Sequence, residues 1–180
     1  MSKWLCILLL VCSAAHAAPE TAPSDDSLAR FMNEKALMAQ FEEMRANVAG
    51  RTSDLVVTAM GFLGVPYRRG GNSAETGFDC SGFVRAMYEQ SVGLILPRQA
   101  IEQAKAAQNI DHRDLQPGDL VFFNTMRRSF SHVGIYVGEG KFIHSPRSGS
   151  QVRVEDMNES YWKKRFNGAR RVTIEALRQH

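Results

Sequence analysis

Large apolar residues recur at helical spacing along the first part of the chain. Leu28, Phe31, Met38, Phe41, Met44 and Val48 mark one stripe and predict an amphipathic helix from about 26 to 48. Gly50 is the expected stop, and Thr52 or Ser53 can cap a second helix carrying Leu55, Val56, Ala59 and Met60. Gly64-Val65-Pro66 closes that helix, and Tyr67 to Gly77 reads as a glycine-rich loop. Phe83, Val84, Met87 and Tyr88 then make another helical stripe. Asp79 is its N-cap, which puts Cys80 in the first helical turn. Leu96-Pro97-Arg98 opens a further helix, running to about Gln108.

Beyond Leu115-Gln116-Pro117-Gly118 the period changes to two. Asp119 to Phe123 reads as a strand. His132–Val137 and Lys141–His144 are two more, joined at Gly138-Glu139-Gly140, and Val152–Val154 is a fourth. Tyr161 to Phe166 looks helical, and Ala169 to Ile174 is a closing strand. Helices first and an antiparallel sheet afterwards is the α+β order.

The first residues belong to no fold. Ser2-Lys3 is a short basic start, Trp4 to Val11 an apolar run, and Ala15-His16-Ala17 a small-x-small cleavage pattern. The run falls well short of the roughly 20 residues that span a bilayer. The pattern therefore predicts a signal peptide over 1–17, cut after Ala17, and a soluble exported protein without a transmembrane segment. Lipid attachment at Cys12 is disfavoured by the bulky Val11 before it. Residues 18–26 make a polar, proline-bearing lead, expected to be flexible.

Export changes the meaning of the cysteines. Cys6 and Cys12 leave with the leader, so Cys80 is the one thiol remaining and cannot form an internal disulfide. It is either a small buried apolar residue or a nucleophile. A free cysteine has a pKa near 8.5 and needs activation. A first-turn position aims backbone N–H groups at the sulfur, and a histidine can take its proton. Asp79, as a neighbouring negative charge, opposes the thiolate.

Among the histidines, His112 and His180 lie in a charged loop and at the terminus. His132 and His144 lie in adjacent strands. A three-residue connection at 138–140 pairs Gly134 with His144 and makes the two histidines diagonal neighbours on one face, with room left by Gly134. A regular two-residue turn on Glu139-Gly140 turns His144 to the other face unless a bulge compensates. Cys80, His132 and His144 could also supply three zinc ligands, but no second cysteine and no His-Glu-x-x-His motif accompanies them. The expected site has no metal and no cofactor.

G-V-P-Y-R-R-G-G, G-F-D-C-S-G-F-V, L-P-R, L-Q-P-G-D-L-V-F-F, H-V-G-I-Y-V-G-E-G-K-F-I-H and Y-W-K-K-R-F, in this order over about Asp54 to Val172, resemble the NlpC-type cell-wall cysteine peptidases. The resemblance implies a papain-like core, with N-terminal helices on an antiparallel sheet. It divides the chain into the leader, the lead, an N-terminal helix over 27–50 and a catalytic domain over 51–180. It also implies Cys80 as nucleophile, His132 as base and His144 as the residue orienting it, with Tyr67, Asp79 and Ser81 as substrate or oxyanion contacts. Arg69 stands where an aromatic residue is common, and Ser145 where alanine is frequent.

The C-terminal stretch is especially similar to the exported cross-link endopeptidases of Gram-negative cells. That implies a periplasmic, monomeric enzyme cutting the D-Ala–diaminopimelate bond between peptidoglycan stem peptides. Cleavage of the γ-D-Glu–diamino-acid bond within a stem is the alternative, and a non-catalytic wall-binding module the rival class. The net charge of +3 demands no nucleic-acid partner. The basic stretch around Lys163, Lys164, Arg165, Arg170 and Arg171 reads as a solvated face, or one meeting anionic envelope polymers.

Overall fold

The computed structural model describes residues 25–125, 128–173 and 175–176. The expected leader, its cut after Ala17, Cys12 and most of the lead lie outside them. The chain divides into two compact units, 1–42 and 43–180.

The first helix, α1, runs unbroken over Asp25–Met60. The expected stop at Gly50, with a fresh cap at Thr52 or Ser53, is not observed. Glycine ends a helix by turning left-handed, and Gly50 is not among the glycines with positive φ. It remains a helical residue at a cost of about 1 kcal/mol relative to alanine, which good helix formers on both sides offset. Phe31, Met32, Leu37 and Met38 on the early part of α1 are exposed. Among the described residues no helix is long and apolar enough to cross a membrane.

In the second unit a two-stranded ribbon, β1 (Asn72–Ser73) and β2 (Gly77–Phe78), folds the glycine-rich loop onto itself. Helices α2 (Cys80–Val92) and α3 (Ala100–Lys105) follow. The sheet consists of β3 (Gln108–Ile110), β4 (Leu120–Phe123), β5 (His132–Gly138), β6 (Lys141–His144), β7 (Arg153–Asp156) and β8 (Phe166–Arg171). The short helix α4 (Ser160–Lys163) precedes β8. The strand order is β3-β8-β4-β5-β6-β7, with every pairing antiparallel.

Two helix ends differ from the periodicity. The helix after Pro97 ends at Lys105, and Gln108 pairs with Arg171 as an edge strand. The helix at Tyr161 ends before Phe166, which already pairs with Phe123. Pairing with a neighbouring strand outweighs local propensity at both places.

The sheet is covered on both faces, which explains why all four residues of β4 are buried. Leu120, Phe122, Val133, Ile135 and Ile143 face Phe83, Val84 and Met87 of α2. Val121, Phe123 and Phe142 face Trp162 of α4. This is the α+β, papain-like arrangement expected. At one corner Arg171 clasps the buried Asp119 through two bonds of 2.8 Å, tying β8 to the start of β4.

Candidate active site

Cys80 opens α2. Asp79 caps that helix by accepting a 2.8 Å hydrogen bond from the Gly82 backbone N–H. Its other oxygen accepts from the Gly70 backbone at 2.9 Å. Arg98 closes on both oxygens, at 2.9 and 2.6 Å, and its Nη1 also reaches Ser81 Oγ at 3.1 Å. The guanidinium offsets the negative charge that Asp79 places beside the thiol. Buried Gln103 anchors the arrangement from α3, donating to the carbonyls of Ser81 and Pro97 at 3.0 and 2.9 Å.

Gly82 is glycine for a steric reason. A Cβ there would lie 2.1 Å from the Gly71 carbonyl oxygen and 3.0 Å from Asp79 Oδ1. Gly82→Ala is therefore expected to push the loop off α2, costing about 1–3 kcal/mol and displacing the cap beneath Cys80. A thermal melt and a turnover assay on the same variant check this; unchanged melting would contradict it.

Cys80 as a residue is half-buried, and its thiol pKa is pushed up to about 11, by burial first and then by the Asp79 charge. The backbone N–H groups of Val133, Ser81 and Cys80 work in the opposite direction. The Val133 contact places the sulfur at the N-terminal end of β5, next in the chain to His132. Tyr67 is half-buried and within electrostatic reach. Its phenol is raised by burial and then by Cys80 and Asp79, with Arg69 and Arg98 opposing.

His132 begins β5 and His144 ends β6, so antiparallel pairing brings them to the same end of the sheet. Glu139 and Gly140 form a tight two-residue turn with φ of 53° and 71°. That turn alone would put the histidines on opposite faces. A register shift between Tyr136 and Gly138 inserts one extra residue and restores them to one face. Gly134 lies between: a Cβ there would be 2.7 Å from the Phe142 ring, 2.9 Å from the Ile143 carbonyl and 3.1 Å from His144 Cβ.

His132 Nε2 and His144 Nδ1 are 2.7 Å apart, and both residues are buried. Trp162 stacks on His132 at 5.7 Å and presents an edge to His144 at 5.1 Å. The indole keeps water from a bond that a low dielectric strengthens. Burial lowers the pKa of both imidazoles; Glu155 opposes this in each case, while the second histidine adds to the lowering at His132. Both shifts favour the uncharged forms, the thiol of Cys80 and the neutral imidazole of His132.

Cys80, Asp79, Ser81, Tyr67, His132 and His144 therefore gather around one end of the sheet. The Asp79 carboxylate is fully engaged by its own helix, loop and Arg98. Ser145, the other departure besides Arg69, is buried and donates a 2.7 Å bond to the Phe78 carbonyl, fastening β6 to the segment before Cys80. Periodicity gave no role to Trp162, Arg98 or Glu155. Trp162 and Arg98 lie inside the motifs quoted above; Glu155 does not.

The profile of the NlpC/P60 family matches residues 64–171. Murein DD-endopeptidase MepS/Murein LD-carboxypeptidase of Escherichia coli is 38% identical over 167 residues, covering 92% of this chain and 87% of its own. Murein DD-endopeptidase MepH of the same organism is 44% identical over 131 residues, 71% of this chain; the match spans about half of MepH, 48%. A crystal structure of an NlpC/P60 family protein from Bacillus cereus superposes with a TM-score of 0.63 at 38% identity, covering 67% of this chain and 39% of that one. A matched core of this extent, built around a thiol at a helix start and a bonded histidine pair, makes the chain a member of the NlpC/P60 family of cysteine peptidases.

Proposed function

We propose that this protein is an exported peptidoglycan endopeptidase of the cell envelope. It hydrolyses the D-Ala–diaminopimelate cross-link, with Cys80 as nucleophile, His132 as base and His144 as the orienting residue. The observation that carries the reading is the 2.7 Å bond between two buried histidines beside a helix-opening thiol. A binding module needs neither the bond nor the thiol.

In this mechanism His132 takes the thiol proton as sulfur attacks the amide carbon. The backbone N–H of Ser81 meets the charge developing on the carbonyl oxygen. Collapse breaks the C–N bond, and the imidazolium returns its proton to the leaving amine. A water molecule, deprotonated by His132, then hydrolyses the thioester, freeing the new carboxylate and restoring the thiol. No cofactor is required. Tyr67, beside the sulfur, contacts the stem peptide, while Asp79 and Ser81 hold the nucleophile's loop in place through Arg98. The protein acts as a monomer after its leader is removed.

A cross-link enzyme must admit chains from both sides of Cys80. Purified dimeric muropeptides test the assignment: conversion of tetra-tetra dimers to monomers supports it. Shortened stems with dimers left linked would move the reading to the γ-D-Glu–diamino-acid bond. No hydrolysis of either, with muropeptide bound, would leave a binding module.

A further inference from the structure

Beyond His144 the chain of contacts continues. Oε2 of Glu155 stands 3.1 Å from His144 Nε2. Both atoms are buried, and among the described residues neither has a hydrogen-bond partner, so each is the other's polar neighbour. The strand register explains the approach. Glu155 pairs with Phe142 and Arg153 with His144, so Glu155 is the diagonal neighbour of His144 on the same face. On its other oxygen, Oε1, Glu155 takes an ion pair from Arg153 Nη2 at 2.5 Å.

The geometry points to Glu155 as a positioning residue that fixes the proton on each ring of the histidine pair and strengthens His132 as a base; this rests on the proposed thiol mechanism. A carboxylate can only accept, so the proton of His144 sits on Nε2. Nδ1 of His144 then carries a lone pair and accepts from His132 Nε2–H. Nδ1 of His132 is left with the free lone pair that a base requires. Remove the carboxylate, and nothing in this set prevents both rings from adopting the other tautomer.

The charge matters as well as the direction. When His132 becomes an imidazolium, an anion two contacts away lowers its energy. Glu155 is itself held as that anion. Burial opposes its charge, but His144 and Arg153 outweigh burial and bring its carboxyl down to about 2. Among the described residues, the titratable and charged groups around this cluster are Cys80 at the start of α2, its cap Asp79 with Arg98, Tyr67 from the loop before β1, Arg153 from β7 and the two histidines. Helix α4 contributes only the uncharged Trp162.

The test is the rate at which iodoacetamide alkylates Cys80, followed from acid to mildly alkaline pH, in the full chain and in Glu155→Gln. This needs no peptidoglycan. For a neutral resting pair, the reactive thiolate–imidazolium form is populated according to the gap between the two pKa values. Weakening His132 by one pH unit therefore lowers the plateau rate about tenfold and moves the acid limb about one unit lower. The two changes are expected together and in equal measure. In turnover, kcat should fall and KM hold. Glu155→Asp, which keeps the charge, should return the limb toward its original position and guards against a folding artefact in the amide variant.

A Glu155→Gln profile that superimposes on the wild type, or a lower plateau with the limb unmoved, overturns the proposal. A wild-type Cys80 that reacts as an ordinary thiol, with no acid limb, would instead overturn the Cys80–His132 reading and this inference with it.

Discussion

Cys80→Ser is expected to abolish muropeptide hydrolysis, by a factor on the order of a million, with the fold intact. The size follows from the base. His132 is held well below the ordinary histidine pKa, chiefly by burial. A base that weak can take a proton from a thiol within a preformed site. It cannot do so from a hydroxyl, which is several units less acidic. The backbone N–H groups of Val133, Ser81 and Cys80, placed for a large sulfur, meet a smaller oxygen at longer range. The fold has little at stake, because Asp79 and Gly82 make the helix cap through the backbone and a neighbouring side chain. Dimeric muropeptides measure the activity and thermal melting the fold. Iodoacetamide supplies a third check, since the serine variant should gain no label in the domain. A folded serine variant with wild-type turnover would remove Cys80 from the mechanism.

Much of this site is legible before any coordinates, because it depends on local rules. Asp79 before an apolar helical stripe is a cap, and the cap decides where Cys80 stands. The alternation in H-V-G-I-Y-V puts His132 opposite in phase to Val133 and Ile135, whatever the sheet does with it. The hairpin shows where local rules reach their limit. The sequence reads as a three-residue connection at Gly138-Glu139-Gly140, but the chain turns on Glu139-Gly140 alone, which by itself separates the histidines. One extra residue near Val137 reverses that outcome, and no residue type there announces it.

Glu155 lay further out of reach. Its position beside His144 depends on the β6–β7 register, which is set by the path of the intervening loop through Pro66 and Tyr67: Gln151 bridges to Pro66, and the Ser150 carbonyl accepts from the Tyr67 N–H at 2.8 Å. Arg153 and Glu155, two charges at period two around Val154, are the visible signal of a polar strand face. They do not say what that face meets. Gly50 failed for the opposite reason. Glycine often stops a helix, but a stop needs left-handed backbone, and Gly50 does not adopt it. Gln108 and Phe166 sit in locally helical patterns, and the partners that make them strand residues, Arg171 and Phe123, are distant in sequence.

His132→Ala is the second large effect, and its pH dependence separates it from loss of the thiol. Removing the base should lower muropeptide turnover at neutral pH on the order of ten thousandfold or more. Cys80 remains and can still be alkylated, but only by ionising unaided, and burial together with Asp79 holds that ionisation near about 11. Alkylation of the variant should therefore climb steadily through the alkaline range. The wild type should show a plateau that falls away on the acid side, below the ordinary histidine value of 6.5. Stability carries the same signature. The folded pKa of His132 is depressed, so its neutral form contributes stability that is fully present above 6.5. As the pH falls, the unfolded chain takes up a proton that the folded chain refuses, and that stability is lost toward the lower folded pKa. His144 acts in the same direction, and Glu155, held down at about 2, adds its own loss once the pH passes below the ordinary carboxylate range. Melting temperature should thus decline on acidification in the wild type. The decline should be shallower in His132→Ala, although the cavity left under Trp162 lowers the whole curve by about 1–3 kcal/mol. Equal slopes in the two proteins would show that His132 is not buried in its neutral form. An alkylation profile in the variant matching the wild type would remove His132 as the base.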